Sequence, residues 1–370
     1  MTKARYVMIG GFLGAGKTTA ILKLAQHLTN QRVRVGIIMN DQSSGLVDTA
    51  IAKAHGFDVE EVAGGCFCCR FNSLIEAADR LTTVTVPEVF IAEPVGSCTD
   101  LKATVTYPLR RMYGDSYTIA PLSVVVDPLR ALRVLGVEPG RSFSSKVLYV
   151  YTKQLEEADL IVLNKRDLVE DEGLWEALRL AIADRFCRAE IFEISARHGS
   201  GLEGWFDRML SGPSERIGPA ELDYERYGQG EALLGWLNGL VRVSGSGVDG
   251  NVLLLDIAKQ LQQRLASDGV EVAHLKLTLS ADEDGTDLAV VNLVATDRSP
   301  DLSHALAEPI DEGELIVNLR AEADPELLRR RLVETLESQA RAPNAPMLRL
   351  AHVECFRPAQ PTPTYRLAHE

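Results

Sequence analysis

Six short runs in the first 210 residues are apolar at nearly every position: RYVMIG, RVRVGIIM, VFIAE, LSVVVD, LIVLN and EIFEIS. Val and Ile dominate most of them. A strand covered on both faces reads this way, whereas a half-exposed strand would alternate. Between several of them lie stretches such as KTTAILKLAQHL and GLWEALRLAIADRF, whose apolar residues recur at helical spacing. Strand and helix in alternation predict a doubly wound, mostly parallel α/β sheet over residues 1–212. Ligands of such sheets collect beyond the carboxyl ends of the strands.

The pattern changes after a segment rich in Gly, Pro and charge, residues 213–231, which reads as a linker. GWLNGLVRV, a helical VLLLDIAKQLQQRLAS, then VAHLKLTLS, DLAVVNLVAT and GELIVNLRAEA follow. The helical PELLRRRLVETLESQA and a last strand MLRLAHVECF complete the set. This order predicts a smaller α+β domain with a ferredoxin-like arrangement over residues 232–357. The proline-containing stretch 358–370 is expected to be an extended tail.

Composition narrows the function. A chain of 370 residues with 46% hydrophobic and 25% charged residues can bury two cores, and its net charge of −13 excludes the basic footprint of a nonspecific nucleic-acid binder. Six cysteines are too few for a disulfide framework, and Cys98, Cys187 and Cys355 are scattered, which favours a reducing compartment. Lys3 and Arg5 before YVMIGGFLGAG imitate a secretory leader, but the apolar part is short and Lys17 follows at once. No apolar run approaches the roughly 20 residues of a membrane span. The expectation is a cytoplasmic protein with no nucleic-acid or membrane partner.

GGFLGAGKTT carries the spacing Gly11-x-x-x-x-Gly16-Lys17-Thr18 between a predicted strand and a predicted helix, the setting of a phosphate loop. Its glycines let successive N–H groups turn toward phosphate oxygens, so Gly11, Gly14, Ala15, Gly16 and Thr19 form the expected cradle. Lys17 suits the β and γ phosphates, and the Thr18 hydroxyl suits Mg²⁺. Asn164, Lys165 and Asp167 end the LIVLN strand. A carboxylate there accepts hydrogen bonds from N1–H and the 2-amino group of guanine, which adenine lacks. The Lys165 stem can pack over the base, and an amide of the Ser195-Ala196-Arg197 turn can meet its carbonyl. The predicted nucleotide is GTP. For its hydrolysis Lys17 neutralises phosphate charge, and Glu93 is the first candidate to orient water or reach the cation. Asp41 is a further candidate for the Mg²⁺ shell. Asp127 reads equally as part of that shell or as the cap of the turn before Pro128, and Arg70 as a solvated side chain.

GGCFCC places Cys66, Cys68 and Cys69 within four positions. A bridge between neighbours needs a strained turn, and a structural zinc site needs four ligands. No second cysteine pair and no histidine pair supplies them. The choice left is between small core residues and an open three-thiolate site for a soft ion such as Zn²⁺, Co²⁺ or Cu(I). Cys98 is a conditional fourth ligand.

The order GGFLGAGKTT, GGCFCC, AEPVG, VVVD, ADLIVLNKRDL and ISA resembles the CobW-like branch of the metal-insertion GTPases, relatives of the urease and hydrogenase nickel GTPases. The resemblance implies a dimer-capable, Mg²⁺-dependent P-loop GTPase with a Cys-x-Cys-Cys metal site. It also implies slow hydrolysis coupled to delivery of a transition metal, Zn²⁺ or Co²⁺ first, or of cobalamin, to a client enzyme. By position, Glu93 falls in the second switch and Gly96 would sense the γ phosphate. Asn40 and Asp48 match the first switch. Two departures stand out: EPVGSCTDL replaces the usual E-S/T-S/T-G-L-A-D-P, and Asp41 stands where glutamate is usual. Two other readings remain: a GTPase gating cobalamin loading of a methyltransferase or mutase, and a GTP-dependent docking module with structural cysteines.

Overall fold

A computed structural model describes residues 3–41, 49, 52–53, 55–212, 218–281, 287–341 and 345–367. Asp48, matched to the first switch, lies outside the described residues. The chain forms two compact units, Met1–Gly228 with Gln360–Glu370, and Gln229–Ala359.

The first unit runs β1 (Ala4–Gly10), α1 (Lys17–Asn30), β2 (Val35–Asn40), β3 (Asp58–Val62), α2 (Phe71–Val84), β4 (Val89–Glu93), α3 (Tyr107–Tyr113) and β5 (Tyr117–Ile119). It continues with β6 (Ser123–Val126), α4 (Pro128–Val134), α5 (Ser145–Glu157), β7 (Leu160–Leu163), α6 (Glu172–Arg185), β8 (Glu190–Glu193) and α7 (Leu202–Ser211). The strands pair in the order β3-β2-β4-β1-β6-β7-β8, with β5 beside the first half of β1. Every pairing among these strands is parallel. All their carboxyl ends therefore point one way, and the loops after β1, β2, β4, β6 and β7 gather at one edge. The fold is the P-loop NTPase sheet that the alternating runs predict.

Two strands of this sheet have no clear signal in the sequence. β3, DVEEV, buries only its valines because it is the outermost strand, so its polar residues face water. β5 has three residues, too few for any pattern. Both sit where apolar content cannot mark them.

The second unit holds β9 (Leu234–Val248), α9 (Gly250–Ser267), β10 (Val272–Ser280), β11 (Leu288–Leu293), β12 (Asp301–His304), β13 (Ile310–Glu322), α10 (Pro325–Ala340) and β14 (Met347–Phe356); α8 (Tyr224–Leu233) precedes it. Its antiparallel sheet has the order β12-β11-β10-β13-β9-β14. Within it, β14-β9-β13-β10 with helices after β9 and β13 is the ferredoxin-like core, and β11 and β12 extend one edge. Leu254, Ile257, Leu261, Leu328 and Leu332 of the two helices pack with Leu237, Val241, Leu275 and Val317 in one apolar core.

The region read as a linker, 213–231, contains the start of α8. The Asp223 carboxylate accepts the N–H groups of Glu225 and Arg226, at 3.0 and 3.1 Å, and so starts the helix despite its glycines. Residues 360–367, read as a tail, belong to the first unit. Among the described residues no helix is long and apolar enough to cross a membrane.

A buried ion pair underlies the loop after β4. Lys102 Nζ lies 2.6 Å from Asp159 Oδ1, and both side chains are almost inaccessible. Asp159 also accepts the Leu122 N–H, and Glu157 accepts the Lys102 N–H and the Thr99 hydroxyl. Removing one partner strands a charge away from water. Lys102→Ala is expected to cost about 3–5 kcal/mol, measured by urea unfolding of the full chain, whereas an exposed control such as Lys146→Ala should cost under about 1 kcal/mol.

Candidate nucleotide and thiol site

The phosphate loop starts where β1 ends. Gly11 adopts φ 134°, and a Cβ there would stand 2.2 Å from the Val125 carbonyl oxygen on β6, so only glycine passes. Gly16, at φ 93°, caps α1 and aims that helix's N-terminus into the loop. Lys17, the first residue of α1, is buried and its Nζ lies 3.8 Å from Glu93 Oε1. The Thr18 hydroxyl donates to the same carboxylate, at 3.0 Å to Oε2 and 3.2 Å to Oε1. Lys17, Thr18 and Glu93 thus meet at the junction of β1 and β4. A hydroxyl and a carboxylate side by side are hard oxygen donors and fit Mg²⁺. Asp41 lies just past the end of β2, with its N–H on the Val62 carbonyl at 3.3 Å.

The residues expected to read the base brace the loop from the other side. Asn164 donates to Ala15 O at 2.9 Å and accepts the Ala196 N–H at 2.9 Å, tying the phosphate loop to the Ser195-Ala196 turn. Lys165, in the left-handed region at φ 54°, donates to Gly14 O at 2.7 Å, which draws its stem along the loop. The Asp167 carboxylate accepts the Ser195 hydroxyl. Asp127 settles between its two readings as a cap and an anchor: it accepts the Arg130 N–H at the start of α4 and pairs with Lys165 at 2.7 Å. Burial pushes its carboxyl up, but Lys165 and Arg130 outweigh burial and hold it below the usual carboxylate range. Arg130 also donates to Leu13 O and lies over the Phe12 ring, a clasp on the loop that nothing in its sequence context marks.

The thiol loop links β3 to α2. Cys69 and Arg70 both donate their N–H groups to Cys66 O, at 3.0 and 2.9 Å, which folds the four residues into one turn. Asn40, the last residue of β2, holds that turn. Its amide donates to Val62 O and Gly65 O, both at 2.7 Å, and its oxygen accepts the Phe67 N–H at 2.8 Å. Arg70 is exposed and donates to Gly64 O, within its own loop.

The sulfurs of Cys66, Cys68 and Cys69 all lie within 4.8 Å of one another. Cys66 and Cys69 are 3.3 Å apart, Cys68 and Cys69 3.6 Å, and Cys98 approaches Cys68 to 3.8 Å. Four thiolates held tetrahedrally at about 2.3 Å from zinc would be about 3.8 Å apart. The three separations of 3.3, 3.6 and 3.8 Å are close to that value, so the triple could hold a metal ion. Contact with Cys66, then the other thiols and burial, holds Cys68 well above the ordinary thiol range; the Cys66 contact leads in pushing Cys69 up to about 11.

The loop after β4 joins the two halves. A Cβ on Gly96 would stand 2.8 Å from the Leu13 side chain and 3.1 Å from its backbone nitrogen, so Gly96 is pressed against the phosphate loop. Two residues on comes Cys98, against Cys68. The amide of Gln154 on α5 donates to the carbonyls of both Gly96 and Cys98, at 3.0 and 2.9 Å.

A parallel sheet, a glycine-lined loop capping α1 and an Asn164–Asp167 brace define a P-loop NTPase. The model of the CobW/HypB/UreG nucleotide-binding domain matches residues 5–193, and the chain belongs to that family. It is 30% identical over 213 residues to a protein named zinc chaperone CobW from Sinorhizobium sp, covering 52% of this chain and 58% of that one. It is 28% identical over 169 residues to the zinc chaperone YeiR of Escherichia coli K12, covering 45% and 48%. The chain thus spans about half the length of these relatives. Among solved structures, hydrogenase maturation factor HypB from Archaeoglobus fulgidus matches with TM-score 0.40 at 22% identity, over 55% of this chain and 87% of that one. Zn(II)-bound YjiA GTPase from E. coli matches with TM-score 0.36 at 15% identity, over 90% and 99%.

The placement of Asp167 carries a prediction. Asp167→Asn replaces an acceptor by a donor facing the base, and the preference for guanine over adenine nucleotide should fall about a hundredfold or more. Competition of GDP and ADP for a fluorescent guanine nucleotide measures it; an unchanged ratio would remove Asp167 from base recognition.

Proposed function

We propose that this protein is a GTP-hydrolysing carrier that holds a transition-metal ion on Cys66, Cys68 and Cys69 and passes it to a client protein. The observation that carries this reading is the thiol cluster itself: three sulfurs within 4.8 Å on one turn, with a fourth, on Cys98, 3.8 Å from Cys68. Packing alone does not call for that. Small core cysteines need apolar neighbours, not each other, and Cys69 is only half buried. Soft sulfur donors select a soft or borderline ion, and the names of the two zinc-chaperone relatives make zinc the first cargo to test.

On the nucleotide side, Lys17 would pair with the β and γ phosphates, and Asn164, Lys165 and Asp167 would hold the guanine. Thr18 and Glu93 are the residues that would hold Mg²⁺, which supplies charge neutralisation on the phosphates when bound. Water would attack the γ-phosphorus as its bond to the β–γ bridging oxygen breaks, and Glu93 would orient that water or reach the cation; its contact with the Thr18 hydroxyl supports this. Gly96, against Leu13, would register the γ phosphate, and Cys98 moves with it.

Two measurements test the reading. The wild-type chain with a nonhydrolysable GTP analogue and Mg²⁺ should bind one zinc. The chain with Cys66, Cys68 and Cys69 all changed to Ser should bind none at the same concentration while keeping its GTP affinity. Retention of zinc by that variant would sink the proposal. Cys98→Ala should weaken zinc about tenfold or more in the GTP-analogue state, on the scale of one lost ligand interaction, and less with GDP.

A further inference from the structure

Beyond that reading, residues 360–367 do something the site does not require. They leave the second unit after Ala359 and lie on the first, across the thiol turn. Thr362 donates its N–H to Cys69 Sγ at 3.3 Å. Thr364 donates its N–H to Cys68 O at 2.8 Å and its hydroxyl to Cys69 O at 3.0 Å. Leu367 donates to Ala103 O at 2.9 Å, on the far side of the loop after β4.

The sequence suits this path. In an extended segment, successive N–H groups point to opposite sides, so every second one faces the same neighbour. Here Thr362 and Thr364 face the cysteines, while Pro361 and Pro363 stand at the alternate positions and have no N–H to leave unsatisfied. The prolines also hold the segment extended before it docks, which lowers the entropy lost on seating it.

Two side chains anchor the far end. The Tyr365 ring meets Phe71 edge to face, centroids 5.3 Å apart, where α2 leaves the thiol turn. Arg366 donates Nε–H to Asp100 Oδ2 at 2.8 Å, and its guanidinium stands 5.6 Å from the Tyr224 ring centre. Asp100 is buried, lies two residues past Cys98 and also takes the Tyr224 hydroxyl. The segment therefore bridges the thiol turn and the loop that carries Cys98. Thr362, Thr364, Tyr365 and Arg366 are themselves exposed, while Pro361 is buried and Pro363 and Leu367 are half-buried, so a few apolar contacts and hydrogen bonds hold the segment rather than a continuous buried face.

We infer that residues 360–367 are a releasable strap that closes the thiol site over Cys69 and must lift before a metal leaves. The strap's part as a gate rests on the cysteines being the metal site; its seat across Cys69 does not. Cys69 is the least buried of the cluster, so an acceptor would approach through it. The strap's Thr362 N–H occupies that side of the sulfur. Its grip through Arg366 on Asp100 means that movement of the loop after β4 loosens the strap from its seat.

The test uses two readouts. In the metal-free full-length protein, Arg366→Ala and Tyr365→Ala should each speed alkylation of Cys69 by iodoacetamide about five- to tenfold, read by mass spectrometry of its peptide; that scale is one lost charge-assisted hydrogen bond or aromatic contact. In the zinc-loaded protein, the same variants should speed zinc transfer to a chromophoric chelator by a similar factor. A chain ending at Ala359 should transfer fastest, and a synthetic peptide of residues 360–367 added to it should restore the slow rate. The same peptide with Arg366→Ala should not. Unchanged alkylation and transfer in both point variants would overturn the strap, as would a peptide without effect on a folded shortened chain. If the wild type binds no zinc, the carrier reading fails, while the alkylation rates still decide whether the strap covers Cys69.

Discussion

A buried loop has to satisfy its own carbonyls, and the amide of Gln154 does this twice for the loop after β4, at Gly96 and at Cys98. The rest of the first unit is arranged around that loop. Gly96 rests on the phosphate loop, Cys98 touches Cys68, Thr99 bonds Glu157 and Asp100 receives Tyr224 and Arg366. The segment is therefore packed between the phosphate loop, the thiol turn and residues 360–367. Its backbone is also fixed from below, since Lys102 is pinned by Asp159 among buried charges that cannot separate cheaply. Asp100 sits at φ 63°, a conformation a non-glycine residue keeps only when its surroundings hold it.

That arrangement has a consequence for how the nucleotide end and the thiol end communicate. β1, β2 and β4 are neighbours in one parallel sheet, so their terminal loops must lie side by side. Asn40 ends β2 and holds the thiol turn, while Glu93 ends β4 and meets Thr18. No long pathway has to be imagined between phosphate and sulfur. Adjacent strands deliver both to the same edge, and one loop spans the gap.

Much of this was legible in the sequence because its signals are local. The phosphate loop, the Asn164–Asp167 turn and the thiol triple are each contiguous and need particular residues to work. The central apolar strands announce themselves because they are buried on both faces, whereas β8, at the other edge, has no buried residue. Other features depend on what the chain meets after folding. Asn40 could be read as a match but not as the clamp of a turn more than twenty residues away. Asp127 offered two roles, and only the position of Lys165 and the start of α4 decides for the anchor. β3 shows mixed polarity because it is an edge strand. The tail reads as extended, and its described residues, 358–367, have no helix or strand, but its proline-threonine alternation gives no hint of a partner nearly 300 residues earlier. Such a partner is a property of topology, not of composition.

The four sulfurs show why the division into two loops matters. Cys66, Cys68 and Cys69 lie on one turn closed by hydrogen bonds to Cys66 O and by Asn40, so they move together. Cys98 belongs to a different loop and reaches the cluster only through Cys68 among the sulfur contacts described. On the proposed reading, a shift of the loop after β4 would leave three ligands in place and change the fourth. For a soft metal this alters the coordination number without dismantling the site, and a lower number exposes a position for an incoming ligand. Had all four cysteines shared one turn, the site would hold its ion regardless of the nucleotide. Had the three been spread over separate loops, every movement would scatter them. A triple on one support and a single thiol on another is the arrangement that the proposed metal site needs if one loop is to open it.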